Sequence, residues 1–365
     1  MKMSLKPTSR WMQYLWTCVI SIAGGVLFTW IHMPIPWLLG PMIAVLIASK
    51  WGGMPLAWPG PIRDTGILIV GYSIGLSLTK NAFVEIFHQL PSMLLMTVTL
   101  IALCAIVAFL MSKLTGIDFP TMMTGSIPGG LTQMITLAEE FKNIDITLVT
   151  FFQVIRLMMI VFIVPLLVFS PLFGSGHMST ALPTAQVAVV SWSGLFPHML
   201  VYAPVCILCA WLGKKINLPT AYMLGPMIGT SLVHISGFYG PPLPATLLNL
   251  SQFMIGSYVG LLLQPGQLER KARTITMALI GGAILIASAL GLSLLLTRMH
   301  AISGSTAFLS MAPGGMDQMG IMAHEVGADL SVVSGYQTFR ILFIYFVVSY
   351  ALKMLFRYST KRERL

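Results

Sequence analysis

Residues 124–134 read Thr-Gly-Ser-Ile-Pro-Gly-Gly-Leu-Thr-Gln-Met, and residues 309–319 read Leu-Ser-Met-Ala-Pro-Gly-Gly-Met-Asp-Gln-Met. The shift from Pro128 to Pro313 is 185 positions. The same shift carries Leu39-Gly40-Pro41-Met42-Ile43 onto Leu224-Gly225-Pro226-Met227-Ile228, and Gly71 and Gly75 onto Gly256 and Gly260. Glu140 falls on Glu325. One residue is then lost, after which Asp145, Gln153 and Arg156 fall on Asp329, Gln337 and Arg340. An offset held this long marks a tandem duplication, with repeats at 1–185 and 186–365.

Each repeat carries six hydrophobic segments. They lie near 15–32, 35–50, 63–80, 91–113, 119–138 and 147–173, then near 196–213, 219–236, 244–263, 273–297, 303–323 and 331–356. The fifth of each set holds the Pro-Gly-Gly. Proline removes a backbone donor and glycine weakens a helix, so the fifth segment is expected to be broken.

Hydrophobic residues make up 56% of the 365 positions and charged residues 9%, against about 25% charged in soluble domains. Apolar runs of about 18 or more are membrane-span candidates. The composition implies an all-α polytopic membrane protein and excludes a soluble enzyme. The net charge of +10 reads as cytoplasmic-loop cations rather than a nucleic-acid surface.

Topology follows from the placement of those cations. With the N-terminus inside and the fifth segment re-entrant, nearly all loop Lys and Arg fall inside, and only Lys80 and Arg298 fall outside. If the fifth segment crosses, Lys142, Lys214, Lys215, Arg270, Lys271 and Arg273 move outside. The positive-inside bias favours the first arrangement. Each repeat then has about five transmembrane helices plus one re-entrant or broken hairpin. An odd number of crossings makes the repeats inverted, which is a transporter architecture. A reporter fused near Ser175 tests this topology, and an inside signal would refute it.

Arg156 and Arg340 sit inside the last long apolar segment of each repeat. A charge at mid-bilayer costs about 2.5–3.5 kcal/mol on insertion scales and faces a partner or a water-filled cavity. Gln153 and Gln337 stand three residues earlier, on the same helix face. A guanidinium fork beside an amide suits a carboxylate or other oxyanion. The alternative is internal pairing, with an acidic residue or with the carbonyls of the broken helix. At the breaks, Gly129, Gly130, Gly314 and Gly315 are expected to line a binding site, with Gln133 and Gln318 orienting substrate. Half-helices starting there would aim free N–H groups into it. Ser126, Thr132 and Ser310 add polar groups. Asp317, where the first repeat has Thr132, is the candidate carrier of a coupling proton or sodium ion, or a counter-charge for an arginine. Glu139, Glu140, Asp145, Glu325 and Asp329 read as helix caps. The Gly71/Gly75 and Gly256/Gly260 pairs read as close helix packing. Cys206 and Cys209 form a Cys-x-x-Cys that reads as packing. His324-Glu325 lacks a second zinc ligand because Ala328 stands there, and no metal or other cofactor is expected.

The duplicated Gly40-Pro41-Met42 and Gly225-Pro226-Met227, Pro128-Gly129-Gly130 and Pro313-Gly314-Gly315, with Arg156 and Arg340, resemble the AbrB family of duplicated bacterial integral membrane proteins. That family carries the labels regulator of gene expression and ammonia monooxygenase. The resemblance implies a bacterial membrane protein, with any effect on gene expression exerted indirectly. The expected function is a secondary transporter of a small anionic organic solute. It is multi-pass in the plasma (inner) membrane, with both termini cytoplasmic, and not an enzyme. Lipid is its surroundings, and nucleic acid is not a partner. A homodimer is compatible with this reading. An indirect regulator is the alternative, and a membrane oxidoreductase the more distant one.

Overall fold

A backbone in lipid has to satisfy its own hydrogen bonds, and every regular element of the computed structural model is helical among the described residues. Those residues are 9–51, 55–141, 144–170, 192–262 and 271–362. The repeat boundary, Ser175 and the cations Lys2, Lys6, Lys142, Arg270 and Arg364 lie outside them.

The first repeat supplies α1 (Arg10–Trp30), α2 (Pro36–Trp51), α3 (Gly60–Ser77), α4 (Lys80–Thr115), α5 (Phe119–Ser126), α6 (Leu131–Glu139) and α7 (Ile146–Val168). The second supplies α8 (Trp192–Lys215), α9 (Ala221–Ile235), α10 (Ala245–Leu261), α11 (Lys271–Met299), α12 (Gly304–Met311), α13 (Met316–Glu325) and α14 (Leu330–Phe343). A π-helical turn (Ile344–Val348) joins α14 to α15 (Ser349–Arg362). The expected all-α, multi-pass membrane class holds. Six helical stretches are long and apolar enough to cross a bilayer: Arg10–Trp30, Lys80–Thr115, Ile146–Val168, Phe196–Lys215, Thr274–Met299 and Leu330–Phe356. Helices α2, α3, α9 and α10 are shorter, at 16, 18, 15 and 17 residues.

The chain forms two compact units, and each draws on both repeats. One comprises Met1–Phe83, Pro165–Gln264 and Gly320–Val326; the other comprises Val84–Val164, Pro265–Met319 and Gly327–Leu365.

In the first helix of the first unit, small residues face inward and large apolar ones outward, the reverse of a soluble helix. Helix α1 buries Thr17, Ser21, Gly24 and Gly25, while Trp11, Leu15, Val19, Val26 and Trp30 are exposed. Without a hydrophobic force between helices in lipid, close backbone approach and polar contacts do the joining. Gly24 and Gly40 approach so closely that a Cβ on Gly24 would lie 2.3 Å from the Gly40 carbonyl oxygen. Ser257 donates to Ser21 at 2.8 Å.

The two glycine pairs are used reciprocally. Gly71 and Gly75 of α3 lie on the Met223 and Met227 carbonyls of α9, and Gly256 and Gly260 of α10 lie on the Leu38 and Met42 carbonyls of α2. Leu38 and Met42 correspond to Met223 and Met227. Each repeat's third helix thus packs on the other repeat's second helix. The turns into α2 and α9 also match, with left-handed backbone at His32 and Ile35 and again at Asn217 and Thr220. For β-branched Ile35 and Thr220 that conformation is strained. Cys206 packs as read, its thiol 3.3 Å from the Thr230 hydroxyl.

Candidate functional site

In the second unit the Pro-Gly-Gly motifs end one short helix and start another. Proline pushes the residue before it out of helical backbone, and Ile127 and Ala312 are both extended. Helix α6 restarts right after Gly130, and α13 right after Gly315. At Gly129 and Gly314 a side chain would have to displace a methionine tip. A Cβ at Gly129 would lie 2.6 Å from Met134 Cε and 3.3 Å from Ile344 Cγ2; at Gly314 it would lie 2.7 Å from Met319 Cε and 2.9 Å from Ile160 Cγ2.

Each pair of short helices is a hairpin. The Asp145 N–H donates to the Thr121 hydroxyl at 3.2 Å, and the Asp329 N–H donates to the Thr306 hydroxyl at 3.0 Å. The chain has therefore come back to where α5 or α12 began. Had α13 continued in the direction of α12, its end would lie about 27 Å away. The few residues from Glu325 to Asp329 reach only about 14 Å. Of the acids read as caps, Asp145 and Asp329 cap, whereas Glu140 pairs with Lys353 and Glu325 accepts from Gln252. Asp145 accepts from the N–H groups of Thr147 and Leu148, and Asp329 from those of Ser331 and Val332. Asp329→Ala is expected to lower stability by about 1 kcal/mol, read as a reduced thermal midpoint.

Arg156 and Arg340 sit over the last carbonyls of α5 and α12. A helix C-terminus leaves four carbonyls unpaired and carries partial negative charge. Gln153 Nε2 donates to the Thr124 and Ile127 oxygens at 2.9 and 3.0 Å. Arg156 Nη1 donates to the Ser126 and Ile127 oxygens at 3.1 and 2.8 Å, and its Nη2 donates to Gln153 Oε1 at 2.6 Å. The second repeat repeats this. Gln337 Nε2 donates to the Leu309 and Ala312 oxygens, and Arg340 donates to the Met311 and Ala312 oxygens and to Gln337 Oε1.

This latch uses only part of each guanidinium. Nε of Arg156 and Nε of Arg340 are buried without a hydrogen-bond partner. Both residues are buried, at 7% and 3% exposure. The ion pairs among the described residues, Arg63–Asp64 and Lys353–Glu140, involve neither. The two guanidinium groups lie within electrostatic range of each other, and buried Cys104 of α4 lies in the field of both.

Gln133 and Gln318 turn back on the break. Their Oε1 atoms accept from the Gly130 and Gly315 N–H groups at 3.3 and 3.2 Å, so those two donors are occupied. Gln133 Nε2 is buried without a partner. Asp317 is half-buried in the first turn of α13, its carboxylate beside Gly315. The Thr132 side chain lies outside the described residues.

Arg156 borders a small cavity, and Arg340 a narrower gap with no room for a water molecule. One is lined by Arg156, Phe152, Met111, Met277, Gly281 and Gly282, among others. It has room for about one water molecule in this state. The other is lined by Arg340, Tyr336, Met96, Thr97 and Ser310, with Met311 and Leu100. Behind it the Tyr336 hydroxyl lies 3.0 Å from Ser92 Oγ, and His300 Nε2 lies 2.8 Å from the same oxygen. Of the lining residues, the sequence points to Arg156, Arg340, Ser126 and Ser310 and to none of the others. Comparing the repeats position by position, Tyr336 against Phe152 and Thr97 against Gly282, would have exposed them as places where equivalence fails.

Residues 37–356 match the family described as Transition state regulatory protein AbrB. A protein of Escherichia coli (strain K12) named "Putative regulator AbrB" is 27% identical over 96% of this chain and 99% of its own. A protein of Bacillus subtilis (strain 168) named "Uncharacterized protein YhjN" is 24% identical over 93% of this chain and 92% of its own. With the family match running across both repeats and both arginine latches, this multi-pass membrane protein belongs to the AbrB family.

Proposed function

We propose that the protein is a secondary transporter of a small organic anion, bound at Arg156 and Arg340. One observation carries this reading. Two buried guanidinium groups form no ion pair with a described carboxylate, and each keeps a buried Nε–H without a partner. Charge is costly to bury unpaired, and an anion would supply both the missing charge and the missing acceptors. Gln153 and Gln337 fix the forks, and Gly129, Gly130, Gly314 and Gly315 shape the hairpin tips beside them. Asp317 carries the coupling proton or sodium ion. The protein catalyses no covalent chemistry.

The hairpins support inverted repeats. If each enters and leaves on one side of the membrane, each repeat crosses five times and the two face opposite ways. The positive-inside rule then places both termini in the cytoplasm of a bacterial plasma membrane.

The name of the Escherichia coli relative favours a second reading, a regulator that senses an anion and signals through a partner. The two readings separate in liposomes. Thermal midpoints of the purified chain are measured with acetate, phenylacetate, succinate and citrate, and again in Arg156→Lys and Arg340→Lys, which keep the charge but lose the fork. A shift confined to the wild-type protein, followed by counterflow of the stabilising anion, is the expected result. Binding without flux favours the regulator. Equal shifts in all three proteins, or none, would make the arginines purely structural latches.

A further inference from the structure

The two arginine cavities occupy equivalent places in the repeats, but they are built differently. The Arg340 cavity has Met96, Thr97 and Tyr336; the corresponding positions at Arg156 are Gly281, Gly282 and Phe152. Bulk and hydroxyl groups that fill the first are missing from the second. A Cβ on Gly281 would meet nothing nearer than Met111 Cε at 3.7 Å, so this face of α11 is open. At Gly282 the nearest atom is Met159 Sδ at 2.5 Å, close to the end of a flexible side chain. Met111, Met122 and Met277 form further walls. Unbranched thioether chains repack with little penalty, so a cavity walled by methionine and glycine widens more readily than one of branched residues. Arg156 is the single charged residue in the lining.

We propose that the Arg156 cavity is the substrate pocket, and that it selects a monocarboxylate with a compact apolar body. The inference rests on the anion-transport reading and narrows it. One guanidinium neutralises one carboxylate. A second carboxylate or a string of hydroxyls among methionines, Phe152 and glycines would be desolvated without partners, at a cost of several kcal/mol. Filling the glycine side closes the pocket, as Met96 and Thr97 do in the other repeat.

The test uses the full-length purified protein and four sodium salts at equal ionic strength: phenylacetate, isovalerate, succinate and acetate. The first two are expected to raise the thermal midpoint by about 2 °C or more, and succinate and acetate by clearly less. Gly281→Met removes the shift while leaving the unliganded midpoint near that of the wild-type protein. Gly281→Ala gives an intermediate shift and carries the test if the methionine variant fails to fold. A larger shift from succinate, or a phenylacetate shift that survives in both variants, overturns the proposal. A succinate shift lost in Arg156→Lys would overturn only this selectivity and leave the anion site standing. No shift from any of the four salts would remove both.

Discussion

Gln153→Leu is expected to destabilise the protein by about 2–5 kcal/mol. The side chain is 3% exposed, and leucine fills similar space without any polar group. Thr124 O loses its side-chain donor, Ile127 O keeps only Arg156, and Arg156 Nη2 loses its acceptor. An orphaned buried polar group costs about 1–3 kcal/mol, and more beside a charge. The loss should also be local, because the latch is what ties the end of α5 to α7. Thermal unfolding together with hydrogen exchange at 121–134 measures both parts. A midpoint unchanged within error would mean that the Pro-Gly-Gly turn holds its shape without the latch. Gln337→Leu should behave the same way at Leu309 and Ala312.

The second large effect lies in the glycine seam. Gly256→Leu places a Cβ 2.3 Å from the Leu38 carbonyl oxygen. The obstacle is backbone, which cannot swing away, so α10 and α2 have to separate. Overpacking a close seam typically costs about 1–3 kcal/mol and occasionally more, and a backbone obstacle belongs at the upper end. Gly291 is the control. It stands in α11 with nothing within 4 Å of where a Cβ would lie, so Gly291→Leu is tolerated and gains about 1 kcal/mol of helix propensity. Monodisperse yield and thermal midpoint of the two variants decide the matter. Equal behaviour would show that the seam has slack.

The parts of this fold that are short-range or periodic were legible in the sequence. The duplication, the helical class and the broken fifth segment follow from spacing and from the chemistry of proline and glycine. The caps at Asp145 and Asp329 follow from local hydrogen bonding. The latch was legible only as two separate features. Pro-Gly-Gly and Gln-x-x-Arg stand some 30 positions apart, as from Ser126 to Arg156, and nothing local says that one sits on the other. Carbonyl pairing was one of the alternatives the sequence left open. The expectation that the half-helix N–H groups at Gly130 and Gly315 point free into the site meets Gln133 and Gln318 folded back onto them. That fold-back is a capping habit of glutamine three residues into a helix. The cavities stayed hidden for another reason. Apart from the arginines and Leu100 with Leu285, they are lined by residues at which the repeats differ, whereas the duplication is recognised by those at which they agree.

The crossed glycine seams have a consequence for how the chain is made. Helix α3 waits for Met223 and Met227, which are synthesised some 150 residues after Gly71 and Gly75. During that interval its small-residue face has no mate from its own repeat. Helix α3 is therefore made before the helix that completes its seam. The same exchange, read backwards in time, describes two identical single-repeat chains holding each other's third helix.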